Sequence, residues 1–276
     1  MRLCTLRLDG AETAAVVTDQ GIVPVARINS YLGRAWSTDL YALLRQGLTL
    51  NLLRDAERTP DALAPESVHF APLYRHPRKI WGIGLNYKDH AAEQGKPLPE
   101  EPVLFIKPST AVIGPGAAIE IPAWVGRVDH EAELGVVIGR TARRVRANKA
   151  LDYILGITSV NDVTARDLQK KDGRYTRAKG FDTFAPVGPC IAVGLDGRDL
   201  QVRGYVNGDL RQDSRTRELI FTIPELVEYI SSVMTLLPGD IISTGTPSGI
   251  GPIKPGDQVT IHVEGVGALT NAVTSQ

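Results

Sequence analysis

The chain has 276 residues, 43% of them hydrophobic and 22% charged, which is ordinary for a globular protein with room for a large core. Lys plus Arg and Asp plus Glu each number 31, so the net charge is zero and the long-range pull that nucleic acid or an anionic membrane requires is missing. No apolar run approaches the roughly 20 residues of a membrane span. The cysteines, Cys4 and Cys190, have no metal-type spacing and fit packing roles in a reducing, cytoplasmic setting.

In chain order, Met1 to Asp9 reads as an alternating strand and not as a signal peptide. Asp9-Gly10 marks a hairpin turn into a second strand, and Asp19-Gln20-Gly21 leads to a third around Ile22 to Ile28. Ser37-Thr38-Asp39 offers the N-cap of a helix that starts at Leu40 and stops at Gly47. Pro60, Pro65, Pro72 and Pro77 then punctuate a strap. These signals predict a small α/β N-terminal domain over residues 1–72 and a β-rich domain over 73–276. Within the second, short strands are expected at Ile80–Leu85, Val103–Lys107, Glu133–Ile138, Ile154–Val160, Cys190–Val193, Gln201–Val206, Asp240–Ser243 and Gln258–Val263. One helix opens at Thr222-Ile223-Pro224, with proline tolerated in the first turn, and stops before Pro238-Gly239.

The run Val128 to Gly139 carries the chemistry. Glu131 and Glu133 stand two apart, and side chains at i and i+2 of a strand share a face. An arbitrary pair of this kind is most often a solvated strand face. Here Leu134 to Ile138 is almost continuously apolar, so the strand reads as covered on both faces. Two like charges there resist burial unless a cation lies between them. Asp162, at the end of the apolar run Ile154–Val160, is the natural third ligand, although a lone Asp before a helical turn is usually an N-cap. Three carboxylates without cysteine or a histidine pair suit Mg²⁺, Mn²⁺ or Ca²⁺ and not Zn²⁺.

Five stretches together resemble the fumarylacetoacetate hydrolase family: Lys79 to His90, the Asp129-His130-Glu131-Ala132-Glu133-Leu134 run, Asn161 to Asp167, Ala178 to Phe184, and Thr244 to Gly251. They run in order over residues 79–272. The resemblance implies an α+β, mainly β fold, a mixed β-sandwich roll with a small α/β N-terminal domain. It also implies a Mg²⁺ or Mn²⁺ ion, a homodimer, and a small 2-oxo or 2,4-dioxo acid as substrate. The implied chemistry is C–C hydrolysis of acylpyruvates, with decarboxylation of oxaloacetate-like acids or isomerisation of 2-hydroxyhepta-2,4-diene-1,7-dioate as alternatives on the same site. A non-catalytic metal or 2-oxo-acid binder is the reading from another class.

Carried over by residue, the metal ligands fall on Glu131, Glu133 and Asp162, and the water-activating pair on His90 and Glu93. At i and i+3 that pair shares a helix face, where an ordinary surface pair is the bland alternative. Lys179 is expected to neutralise an enolate or carboxylate. Arg166, Gln169, Thr246 and Lys107 are expected to bind substrate, with surface salt bridges or turn roles as alternatives. His130 is expected to face away from the ligands. Leu85 stands where some acylpyruvase-like members have Arg, which removes one anion clamp. The polar, turn-rich segment from His90 to Pro102 is expected to close over substrate as a lid.

Overall fold

The computed structural model describes residues 1–47 and 50–276. Strands β1 (Arg2–Leu8) and β2 (Ala11–Thr18) form a hairpin on Asp9 and Gly10, both at positive φ, as a two-residue turn of this twist needs. Strand β3 (Gly21–Pro24) is shorter than expected, because Val25 begins helix α1 (Val25–Leu32). Val25 and Ile28 are one helical turn apart and both buried, so the apolar signal that suggested a strand to Ile28 belongs to a helix face. The Asp39 carboxylate caps α2 (Leu40–Gln46) by accepting from the Ala42 N–H at 2.6 Å, and the helix ends at Gly47. Helix α3 (Leu50–Glu57) follows, where no element was expected.

The remaining elements are β4 (His69–Phe70), β5 (Ile80–Gly84), α4 (Lys88–Glu93), β6 (Val103–Lys107), β7 (Val112–Ile113), β8 (Ile119–Ile121), β9 (Val128–His130), β10 (Ala132–Ile138), β11 (Ile154–Asn161), β12 (Thr164–Ala165), α5 (Arg166–Asp172), α6 (Thr176–Lys179), β13 (Ala185–Val193), β14 (Gln201–Val206), β15 (Asp209–Arg215), α7 (Ile223–Val233), β16 (Ile241–Ser243), β17 (Gly251–Ile253), β18 (Gln258–Val263) and β19 (Gly267–Ser275). Thr222 and Glu225 form a capping box at the start of α7.

The architecture is α+β and dominated by strands. The main sheet runs β3-β2-β1-β13-β11-β10-β16-β5-β6, with β4 beside β1 and β7 beside β13. A five-stranded sheet, β15-β14-β18-β19-β8, packs against it, and β12-β9-β17 form a small third sheet. Every residue of β10 is buried. Leu134, Val136 and Ile138 point into the core shared with Val202, Ile261 and Val263, whereas Val137 joins the cluster built by α1 and α2. A strand covered on both faces reads as an unbroken apolar run, as this one does. The N-terminal strands belong to the same main sheet: β1 pairs antiparallel with β13, placing Cys4 opposite Cys190. Both cysteines are buried and free. Among the described residues, no helix is long and apolar enough to cross a membrane.

Candidate metal centre and its cleft

The strand expected across Glu131 is broken there. β9 lies in the small sheet, β10 in the main one, and Glu131 is the joint. Its N–H donates to the Asn161 side-chain oxygen at 3.1 Å, and its carbonyl accepts from the Asp162 N–H at 2.9 Å. This pairing ties the joint to the end of β11 and so delivers Asp162. One carboxylate oxygen each from Glu131, Glu133 and Asp162 lie within 4.8 Å of one another, and all three residues are buried. Asp162 is not a helix cap: α5 starts after Ala165 and has no side-chain cap.

The surroundings of the three acids differ. Lys179 donates to Glu131 at 2.8 Å, to Thr164 at 2.7 Å and to Asp162, so all three of its N–H groups are spent. Arg166 spans Asp129 at 2.8 Å, Gln169 at 2.6 Å and Glu131. Burial alone would raise the Glu131 carboxyl, but Lys179 and Arg166 outweigh it and hold the group well below the usual carboxylate range. Glu133 has no such cation. It accepts from the Ser243 hydroxyl and, at 2.9 Å, from the Gly245 N–H. Burial, with the charges of Asp162 and Glu131, pushes its pKa up to about 8. Gly245 has φ +103°, and a Cβ there would come within 2.7 Å of Asn86, so only glycine brings this N–H to the carboxylate.

The cluster fits a hard divalent cation. Its donors are carboxylate oxygens, its charges repel in a buried place, and an ammonium already bridges two of its members.

His90, Arg166, Gln169, Lys179 and Thr246 line one cleft together with the three acids. His90 Nδ1 lies 2.9 Å from Glu93, whose other oxygen accepts from the Gly249 N–H at 2.9 Å. Asp89 accepts from the Ser248 hydroxyl at 2.9 Å. Helix α4 is thereby fastened to the Thr244–Gly251 turn, and Gln94 and Lys96 of the segment expected to act as a lid sit at the cleft wall.

Lys107 does not line the cleft. It lies behind Asp162, donating to its Oδ1 at 2.5 Å and to the Val163 carbonyl, and burial pulls its pKa below the ordinary lysine value. The Arg166 fork, expected to meet a substrate carboxylate, is occupied by Asp129, Glu131 and Gln169. His130 is buried with neither ring nitrogen bonded. Leu85 lines the cleft at φ +58°, a conformation uncommon for a bulky side chain, held by Asn86, which bonds Phe221 and Thr244.

Sequence reasoning missed Asp129, which bridges Arg127 and Arg166, and Ser243, which anchors Glu133. Asp129 sits inside the acidic run and was within reach. Ser243 offered no signal until β16 was paired with β10.

The family model for fumarylacetoacetate (FAA) hydrolase C-terminal matches residues 79–274. An uncharacterized protein of Pyrococcus abyssi is 54% identical over 206 residues, covering 72% of this chain and 92% of that protein. The 5-carboxymethyl-2-hydroxymuconate delta-isomerase from Mycobacterium smegmatis has a TM-score of 0.81 at 41% identity, covering 100% of this chain and 99% of the other. Maleylpyruvate hydrolase from Sphingobium sp. SYK-6, solved with manganese(II) and pyruvate, has a TM-score of 0.81 at 33% identity, covering 100% and 99%.

Proposed function

The chain belongs to the fumarylacetoacetate hydrolase family, and from that premise we propose that it is a divalent-metal-dependent hydrolase that cleaves a C–C bond in an acylpyruvate or related 2,4-dioxo acid. The observation that carries this reading is His90, backed by Glu93, lining the same cleft as the buried carboxylates. A site that only binds a 2-oxo acid has no use for a histidine backed by a carboxylate.

Glu131, Glu133 and Asp162 would hold Mg²⁺ or Mn²⁺, in keeping with the manganese and pyruvate of the Sphingobium hydrolase. Such an ion supplies Lewis-acid stabilisation of the charge that develops on a 2-oxo acid as its neighbouring bond breaks. With Nδ1 committed to Glu93, His90 keeps Nε2 to take a proton from water, and the Glu93 charge supports the imidazolium that results. Water oxygen adds to the acyl carbonyl carbon and the C–C bond breaks. The bonding pair leaves with the pyruvate carbon as an enolate, which is then protonated. Lys179 keeps a positive charge beside that enolate while holding two of the acids in place. The Gln169 amide, its oxygen taken by Arg166, keeps its N–H groups for the substrate.

A second reading, double-bond isomerisation of a 2-hydroxydienedioate, is favoured by the Mycobacterium smegmatis isomerase at 41% identity and by the uncharged Leu85 in the cleft. Acylpyruvates, oxaloacetate and a hydroxydienedioate assayed with Mn²⁺ distinguish the reactions. His90→Ala should lower hydrolysis by about 10²- to 10⁴-fold while isomerisation or decarboxylation survives. Equal losses on every substrate would remove His90 from water activation. No turnover with metal bound would favour a binder. We also take the chain to form a homodimer, the commonest closed assembly, so light scattering should give twice the 29.9 kDa of one chain.

A further inference from the structure

Gln212 lies on β15, in the sheet opposite the metal strand, and is fully buried. Its side chain crosses to the joint between the two glutamate ligands. Oε1 accepts from the Ala132 N–H at 2.9 Å, and Nε2 donates to Thr246 Oγ1 at 2.7 Å and to the Pro247 carbonyl at 2.9 Å. Thr246 Oγ1 also lies 2.9 Å from the Ala132 carbonyl.

These contacts leave no freedom in where the protons sit. The Ala132 N–H can only donate, and the Pro247 carbonyl can only accept, so the orientation of the Gln212 amide is fixed at both ends. Thr246 Oγ1 must therefore accept from Nε2. Its own single proton goes to the Ala132 carbonyl. Ala132 sits between Glu131 and Glu133, and Gln212 and Thr246 hold its N–H and its C=O from the same side.

We infer that Gln212 is a positioning residue: it fixes the backbone between the two glutamate ligands and commits the Thr246 hydroxyl to that backbone and away from substrate. The inference rests on the reading of Glu131, Glu133 and Asp162 as metal ligands. It also changes what Thr246 offers, since the hydroxyl proton is spent and the Thr246 backbone N–H has no acceptor among the described residues. Gly204, across from Gln212 on β14, belongs to the same device. A Cβ there would stand 2.8 Å from Gln212 Oε1 and 3.2 Å from Ala132 Cβ, so any larger residue displaces the amide.

The test is a Mn²⁺ titration of the full chain, following free Mn²⁺ by electron paramagnetic resonance, with thermal unfolding of the metal-free protein alongside. Gln212→Leu keeps the bulk and removes every hydrogen bond. Its Mn²⁺ Kd should rise about 10- to 100-fold, the cost typical of losing a residue that orients metal ligands. Gly204→Ala touches neither cleft nor ligand and should raise the Kd several-fold through the displaced amide; it also serves if the leucine variant does not fold. Lower melting temperatures with wild-type Mn²⁺ affinity in the folded variants would show a purely structural glutamine and overturn the inference. Failure of the unaltered chain to bind Mn²⁺ would overturn the metal reading, and this inference with it.

Discussion

At the residue scale, Glu131 and Glu133 are alike in chemistry and unlike in charge state. Glu131 is kept ionised by Lys179 and Arg166, whereas Glu133, without a cation of its own, keeps its proton up to a pKa of about 8. A metal ion must displace that proton. Mn²⁺ affinity should therefore rise about tenfold per pH unit up to pH 8 and flatten above it, with one proton released per ion bound below that pH. Calorimetry in buffers of different ionisation enthalpy counts the proton, and affinity independent of pH between 6 and 8 would refute this charge assignment. The sign for stability follows. Glu133 binds its proton more tightly folded than unfolded, so the metal-free protein should lose stability as pH rises from about 4.5 towards 8. Glu93 acts on His90 and touches none of the three acids. Glu93→Gln should lower kcat by about tenfold or more while leaving Mn²⁺ affinity unchanged, which stopped-flow rates and the same titration check together. The two-residue spacing of Glu131 and Glu133 was legible in the sequence. Their opposite protonation was not, because it depends on burial and Asp162 at Glu133 and on Lys179 and Arg166 at Glu131, which only the fold brings together.

At the element scale, the break between β9 and β10 matters most. The two-residue spacing of Glu131 and Glu133 ahead of the apolar run from Leu134 reads as one strand, and nothing local announces that the chain changes sheets at Glu131. The signal lies at the end of β11, where Asn161 and the next residue, Asp162, take the Glu131 backbone groups. The third N-terminal strand ends sooner than expected because a short apolar run does not distinguish a buried strand from a helix, and the i, i+3 spacing of Val25 and Ile28 belongs to the face of α1. Helix α4 carries His90 to the cleft wall. Asp89 and Glu93 fasten it to the turn Thr244–Gly251, so His90 is held by hydrogen bonds that can open. Asp89→Ala removes one fastening, which contributes about 1 kcal/mol. Hydrogen exchange of the Lys88–Glu93 amides should quicken several-fold and KM should rise. Unchanged exchange would mean that packing alone holds the helix.

At the scale of the whole molecule, the N-terminal residues cover one face of the main sheet. Leu3, Val16 and Val23 share a buried cluster with Val137, Val160 and Ile241, and β1 supplies the backbone partner of β13. A chain reduced to residues 73–276 would expose that apolar face and an unpaired strand edge. It should melt well below the full chain and associate, as size exclusion and thermal unfolding would show; a stable truncated chain would make the N-terminal unit dispensable. The strand-rich layers and most residues of the candidate cleft were legible because they follow local pattern and motif. The cross-sheet contacts of Gln212 and the hidden place of Lys107 were not, because they are set by packing between distant segments. The central claim, hydrolysis of a C–C bond by a metal-bearing carboxylate cluster and a His90–Glu93 pair, is tested most directly by proton NMR of an acylpyruvate incubated with the chain and Mn²⁺. The account predicts pyruvate and the matching carboxylic acid in equal amounts, lost when the metal is removed. An intact carbon skeleton with a migrated double bond, or carbon dioxide without the acid, would contradict it.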